Sequence, residues 1–183
     1  EQVRALGEED FRDRLVPYLA DAYPDPTGEA LQAPLVSAES FDELSAREQE
    51  ILNAAAPLIQ TRIQMLRECR DMLGFLFVSD AELTIDDKAV AKLKASAGDV
   101  LDAGIHALEG LGPEQWGRGR LEEALSAAIV EGQGMPNGEG IKPRLAYGPL
   151  RVAVTGRQVS PPLFESMEIL GAGSTLARLK ALR

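Results

Sequence analysis

Residues 148–156 read Gly-Pro-Leu-Arg-Val-Ala-Val-Thr-Gly, and their conformation decides between a helical and a mixed fold. The β-branched residues of this stretch alternate with others, and by propensity alone this pattern favours a strand. The remaining sequence offers no second strand to pair with it, and a lone strand is unstable. The sequence therefore predicts a helix at this position and an all-α protein.

Downstream of this stretch, proline and glycine mark two more helices. Ser160-Pro161 has the residue types of an N-cap and a first turn, which predicts a helix over 161–170. Gly171 is expected to end it, and a last helix is predicted over 175–182. The glycine-rich residues 170–175 lack both a preceding strand and the Gly-Lys-Ser/Thr ending of a phosphate loop. They are therefore interpreted as a helix stop followed by a Ser/Thr N-cap.

Upstream, apolar residues at helical spacing predict several helices. These span 8–23, a long pattern that begins near 41–46 and runs to 77, then 86–110 and 119–131. Pro57 is expected to kink or split the long pattern. Loops are expected over 24–38 and 132–142. Ser79-Asp80 is the best candidate for a boundary, which predicts subdomains over 1–78 and 79–183.

Charge is distributed unevenly along the 183 residues. The net charge is −10, which argues against a nonspecific nucleic-acid binder. Residues 141–183 hold seven Lys/Arg and two acids, a net of +5, so residues 1–140 carry −15. A basic tail on an acidic body fits local contact with an anion. A solvated charged face is an equally good interpretation.

Few residues could support catalysis or metal binding. The single histidine, His106, lies in a predicted helix without a partner and is interpreted as structural. The single cysteine, Cys69, cannot form an internal disulfide or, with one histidine, a closed Cys/His zinc site, and it is interpreted as a small buried hydrophobe. Nothing supports hydrolysis, hydride transfer or metal chemistry.

Two arginines have no acidic neighbour three or four positions away on a helix, namely Arg62 and, if its segment is helical, Arg151. Such arginines suit bidentate contact with a phosphate or a base edge, although unpaired surface arginines are common. Ser160-Pro161-Pro162-Leu163-Phe164 offers a hydroxyl, a stiff turn and an aromatic side chain. It is either a platform for unpaired bases or a capped helix whose Leu163 and Phe164 enter the core.

Several of these motifs, in this order, resemble the C-terminal signature of bacterial-type glutamyl-tRNA synthetases. The matching stretches are 148–156, Ser160-Pro161-Pro162-Leu163-Phe164-Glu165, Ile169-Leu170-Gly171 and Thr175-Leu176-Ala177-Arg178-Leu179. Weaker matches are Val3-Arg4-Ala5-Leu6, Pro57-Leu58-Ile59-Gln60-Thr61-Arg62 and Trp116. The chain differs from the family at Ala172-Gly173-Ser174, where charged residues are usual.

The resemblance implies two all-helical subdomains, 1–78 and 79–183, that form a cage around the anticodon stem-loop of tRNA(Glu), with tRNA(Gln) as a second candidate. By position, Arg62 matches an arginine that reads the first anticodon base, and Arg151 matches one that contacts the anticodon. The residues that would receive the remaining bases are Ser160, Pro161, Leu163 and Phe164.

The catalytic machinery of that family is expected to lie outside this sequence. Its paired H-x-G-H motif is impossible with one histidine, and no K-x-S-K sequence occurs. ATP, Mg²⁺ and glutamate are thus expected to bind a missing domain, and the absence of an initiator methionine suggests a fragment. A cytoplasmic monomer that binds neither DNA nor membrane is expected. The alternative is a helical protein-interaction module that kept the fold without RNA readout.

Overall fold

The computed structural model describes residues 2–21, 23–24 and 31–183, and nearly all of its regular structure is helical. The prediction of an all-α protein is confirmed. The chain divides into two compact units, Glu1–Val78 and Ser79–Arg183. Among the described residues, no helix combines the length and the hydropathy needed to cross a bilayer.

The described residues of the first unit form four α-helices and a minimal strand pair. The helices are α1 (Gln2–Ala5), α2 (Glu8–Ala20), α3 (Ala46–Ile59) and α4 (Cys69–Leu73). Two-residue strands, β1 (Tyr23–Pro24) and β2 (Leu31–Gln32), pair antiparallel. Strand β2 lies in the segment expected to be a loop, but β1 begins at Tyr23, so the predicted end of the first helix at residue 23 is wrong, and α2 ends at Ala20. Short 3₁₀ helices cover Phe41–Glu43, Leu66–Glu68 and Gly74–Leu76.

Helix α3 starts at a capping box and packs on α2. The Ser45 hydroxyl accepts a hydrogen bond from the Glu48 amide at 3.2 Å, and the Glu48 carboxylate accepts one from the Ser45 amide at 2.9 Å. The prediction that the helical pattern extends to residue 77 is wrong beyond Ile59. The helix runs through Pro57, but the backbone turns after Ile59 and is extended at Met65, so shorter helices supply the later buried residues.

The second unit contains six α-helices. They are α5 (Asp87–Ala91), α6 (Ala97–Glu109), α7 (Arg118–Leu125), α8 (Pro143–Thr155), α9 (Leu163–Leu170) and α10 (Ala172–Leu182). A π-helical turn, Ser126–Val130, continues α7, and a 3₁₀ helix covers Pro113–Gln115. The single helix predicted over 86–110 is wrong, because the chain leaves helical geometry between Ala91 and Ala97. Val90, at 39% exposed, does not belong to the buried face of α6.

Residues 148–155 form most of α8, so the helix predicted against strand propensity is confirmed. Leu150, Val152, Ala153 and Val154 are all buried, on more than one side of the helix. The free energy gained by burying α8 between α6 and α10 thus outweighs the modest helix-propensity cost of its β-branched residues. The helix ends at Gly156, whose φ of 77° is a left-handed C-cap conformation.

Two details at the C-terminus differ from the prediction. Helix α9 begins at Leu163 rather than at residue 161, and Ser160 does not cap it, because its hydroxyl binds other groups. Helix α10 begins at Ala172, directly after Gly171, whose φ of 90° lets a single residue separate the two helices. Thr175 is therefore an interior residue of α10, fully buried, and the expected Ser/Thr N-cap is wrong.

Candidate functional site

Arg151 lies in the middle of α8 and holds the loop that leads to α9. Its Nη1 donates a hydrogen bond to the Ser160 hydroxyl at 2.7 Å and another to the Pro161 carbonyl at 3.1 Å. Arg151 has no acidic neighbour three or four positions away on its helix, and these two partners come instead from the following loop. The sequence-predicted residues Arg151, Ser160 and Pro161 are thus brought into direct contact.

Ser160 and Pro161 form the buried part of this cluster. Ser160 is 4% exposed, and its hydroxyl also donates to the Pro161 carbonyl at 2.7 Å. The hydroxyl is therefore both donor and acceptor, which fixes its orientation toward Arg151. Arg151 itself is half-buried and borders an open groove. Its guanidinium is consequently held in one orientation at the surface of the unit.

Phe164 extends the cluster on the α9 side. Its ring meets that of Tyr147, on α8, edge to face, with 5.3 Å between centroids and 88° between planes. Both rings are half-buried, and burial raises the pKa of the Tyr147 hydroxyl. Leu163, in contrast, is 3% exposed. The structure therefore places Leu163 in the core and leaves part of Phe164 accessible.

An open groove of about 830 Å³ lies beside Arg151. Three further cations line it, Lys92 and Lys94 from the α5–α6 connection and Arg144 from the first turn of α8. No acidic residue is found among the described residues that line it. Sequence reasoning missed these three side chains. The basic tail was a signal for Arg144, but the two lysines lie in the acidic part of the sequence.

The other basic residues of the tail are largely neutralised within the unit. Arg178 pairs with Asp80 at 2.7 Å, Lys180 with Glu109 at 2.7 Å, and Arg183 with Asp102 at 2.6 Å. The Lys180 ammonium lowers the pKa of Glu109, and the Arg183 guanidinium lowers that of Asp102. The positive charge that remains uncompensated is therefore concentrated around the start of α8.

Arg62 belongs to the first unit, where it follows α3. Its amide donates to the Ile59 carbonyl at 2.8 Å, and its side chain is exposed. The prediction that the helical pattern continues through Arg62 is wrong, because α3 ends at Ile59. Within the ranges that the structure describes, its guanidinium has no protein partner. The neighbouring Gln60 amide donates to the carbonyls of Val3, at 3.2 Å, and Leu6, at 2.8 Å.

The remaining reactive residues lie outside this cluster. Cys69 is fully buried, and burial raises the pKa of its thiol to about 12. His106 is exposed on α6. In the described part of the chain, no group of three or more His, Cys, Asp or Glu side chains could hold a metal ion.

A family model described as "Anticodon binding domain" matches residues 10–183. A glutamate–tRNA ligase of Bifidobacterium longum (strain DJO10A) is 48% identical over 183 residues, which are 100% of this chain and 33% of the relative. One from Kineococcus radiotolerans is 49% identical over 181 residues, 99% of this chain and 32% of the relative. The chain thus spans about a third of the length of these relatives.

Solved structures show the same fold. A glutamate tRNA ligase from Elizabethkingia meningosepticum superimposes with a TM-score of 0.66 at 15% identity, covering 99% of this chain and 30% of that protein. A glutamate-tRNA synthetase from Elizabethkingia anophelis gives a TM-score of 0.53 at 18% identity over 76% of this chain and 24% of that protein. At these identities the likeness concerns the fold alone.

Proposed function

Because the chain belongs to the family of anticodon-binding domains, we propose that it binds the anticodon stem-loop of tRNA(Glu). The relatives named glutamate–tRNA ligase support this choice of tRNA, and tRNA(Gln) is the second candidate. The observation that carries the proposal is the contact of Arg151 with Ser160 and Pro161. It joins Arg151 to two residues of the separately predicted stretch 160–164 in one cluster of the second unit.

Arg151 is proposed to contact the edge of an anticodon base. A guanidinium carries five N–H donors in a planar fork that suits base edges and phosphates. The bonds to Ser160 and Pro161 fix its orientation before RNA arrives, so less side-chain entropy is lost on binding. Ser160 and Pro161 are buried, and their role is to position Arg151 and form the floor of the site.

Phe164 is proposed to stack on an unpaired base. Its edge-to-face contact with Tyr147 fixes the ring, and part of that ring is exposed. Stacking of a base on an aromatic side chain contributes about 1–3 kcal/mol, as measured by alanine substitution. Leu163 is 3% exposed and anchors the first turn of α9 in the core, beside Phe164.

In the first unit, Arg62 is proposed to read the first anticodon base. Its side chain is exposed and has no protein partner in the described ranges, so it can meet a base without breaking an ion pair. Each unit would then contribute at least one arginine to recognition, and 1–78 and 79–183 would be the two anticodon-binding subdomains.

Attachment of glutamate to tRNA is proposed only for a longer protein in which this chain forms about a third. ATP and Mg²⁺ would bind outside the 183 residues. We assign no step of that reaction to the 183 residues. A monomer in the cytoplasm is the proposed state. A protein-interaction module without RNA readout is not favoured, because the matching family model is one of anticodon binding and the predicted residues Arg151, Ser160 and Pro161 lie in direct contact in the second unit.

Binding to a tRNA(Glu) transcript and to an anticodon-substituted transcript, at low and moderate salt, tests the proposal. The chain should bind the intact anticodon more tightly. Arg151→Ala should weaken that binding by about 1–3 kcal/mol and reduce the difference between the two transcripts. Arg120→Ala is the control, because Arg120 is exposed and pairs with Glu123 at 2.9 Å on α7. Equal binding of both transcripts, or no binding, would overturn the proposal.

A further inference from the structure

We propose that the groove lined by Lys92, Lys94 and Arg144 binds the phosphodiester backbone of RNA, independently of sequence. This inference rests on the proposed function, because the groove adjoins Arg151 and would hold the strand whose bases Arg151 and Phe164 contact. In this proposal, Arg151 and Phe164 contact the bases. The groove supplies affinity and sets the position of the strand.

The cations of the second unit differ in whether they pair with carboxylates. Ion pairs with carboxylates are formed by Arg118, Arg120, Arg178, Lys180 and Arg183. Lys92, Lys94 and Arg144 form no ion pair within the part of the chain that is described, and all three are exposed. The ammonium of Lys92 meets only the neutral side-chain oxygen of Gln158, at 3.1 Å. Of the exposed cations of this unit for which no ion pair is found among the described residues, Lys92, Lys94 and Arg144 line one groove, whereas Lys88 and Lys142 are not part of its lining.

The N-terminal end of α8 borders the groove. Pro143, Arg144 and Leu145, in the first turn of α8, line it. This helix has 13 residues, and neither a side-chain cap nor an acidic residue offsets the positive end of its dipole. An anion in the groove is therefore attracted both by the side-chain cations and by the helix terminus.

The break between α5 and α6 places both lysines at the groove. An uninterrupted helix would put residues 92 and 94 about 200° apart, on different faces. In the structure, Lys92 lies at the end of α5 and Lys94 in the connecting turn, and both line the same groove. A lysine at a helix C-terminus also interacts favourably with the negative end of the helix dipole. This interaction accounts for a lysine at position 92 without RNA, but not for Lys94 or Arg144.

The size of the groove and the distribution of its cations suit an RNA strand better than a single ion. Its volume of about 830 Å³ is open to solvent, and its cations come from two separate segments of the chain. Apolar walls from Leu93, Leu145 and Val152 accompany them. Alternating phosphates and sugars offer the same mixture of negative and apolar groups. We therefore assign the RNA backbone in preference to an acidic peptide.

The test is a triple variant, Lys92→Gln/Lys94→Gln/Arg144→Gln, titrated over a salt series with the intact and the anticodon-substituted transcripts. Each single-strand phosphate contact contributes roughly 0.7 to the slope of log K against log salt, so the slope should fall by about 2. Affinity at low salt should fall on the order of tenfold or more for both transcripts equally. The ratio between them should stay that of the parent.

The matched control is Arg120→Gln/Lys180→Gln, which removes paired cations of the same unit outside the groove and should leave the slope unchanged. Circular dichroism verifies that both variants are folded. If the triple variant keeps the parent's affinity and slope while the parent discriminates anticodons, the groove inference fails and the proposed function stands. If the parent binds neither transcript, both fail. If only binding of poly-glutamate is lost, the groove is a peptide site and the inference is overturned.

Discussion

Arg151 and Ser160 stand nine residues apart, and a hydrogen bond of 2.7 Å from the guanidinium to the serine hydroxyl joins them. This bond connects the middle of α8 to the loop that precedes α9. The same hydroxyl donates to the Pro161 carbonyl, so one buried serine links the cation to the turn. The orientation of Arg151 and the path of the loop therefore depend on each other.

Ser160→Ala should destabilise the second unit by about 1–2 kcal/mol, because a buried hydrogen bond to a charged group is lost. The only tryptophan, Trp116, lies in this unit and donates to the Met167 carbonyl at 2.9 Å. Its fluorescence during urea unfolding measures the change. Arg151→Ala combined with Ser160→Ala should show a coupling energy of about 0.5–3 kcal/mol. The pair Arg120→Ala and Ser160→Ala should be additive, and additivity in both pairs would contradict the link.

Gly156→Ala should destabilise the second unit by about 1–3 kcal/mol, because two costs combine. The residue has a φ of 77°, and an added Cβ would collide with the carbonyl oxygen of Thr84. The Gly156 carbonyl also accepts from the Asp86 amide at 2.8 Å, so a shift would disturb the start of α5. Trp116 fluorescence in urea again gives the free energy of unfolding.

The matched control for Gly156 is Gly173→Ala in α10. At Gly173 an added Cβ meets nothing within 4 Å, and the residue is exposed inside the helix. This substitution should stabilise the unit by about 0.5–1 kcal/mol, since it lowers the entropy of the unfolded chain. Changes of opposite sign in the free energy of unfolding would show that backbone conformation, and not alanine itself, causes the effect at Gly156. Equal destabilisation by both would refute the argument.

Arg70→Met should destabilise the first unit by about 3 kcal/mol or more. Arg70 is 7% exposed, and its guanidinium donates to the carbonyls of Tyr18 at 2.8 Å, Asp21 at 2.8 Å and Ala33 at 2.6 Å. Removing the guanidinium leaves these part-buried carbonyls, and the buried Leu19 carbonyl at 3.3 Å, without their charged hydrogen-bond donor. Circular dichroism during urea unfolding measures the loss. Arg67→Met, at an exposed position, should change stability by less than about 0.5 kcal/mol, and similar effects of the two variants would contradict the prediction.

The sequence predicted the fold class even where local propensity favoured another structure. The all-α class and the helix over 148–155 followed from the lack of a partner strand, and the family resemblance, which the matching family model confirms, followed from residue types and spacing. Helix boundaries were less accessible. The break between α5 and α6 and the start of α10 depend on which residues meet the core and on the dihedral angles of Gly171, which a periodic pattern does not specify.

Sequence reasoning found part of the candidate site. It singled out Arg151 and the loop at Ser160 separately, but not the bond between them, because a helix pattern reports neighbours only within the helix. Arg70 was missed for the same reason, since its partners are backbone carbonyls up to 52 residues away. Lys92 and Lys94 were missed because a break in the helix, not their spacing, brings both to one groove.

Cys69 should react very slowly with an aromatic disulfide reagent in the native protein. Its side chain is fully buried, and burial raises its pKa to about 12. At pH 8 the native thiolate fraction is therefore on the order of one in ten thousand, and the thiolate is the reactive species. Between pH 7 and 10 the native rate should remain far below that of the urea-unfolded chain, whose thiol titrates normally.

The control is Cys69→Ala/Ser37→Cys, which moves the lone thiol to an exposed position and should react rapidly when folded. Equal native rates for the two proteins would show that Cys69 is accessible.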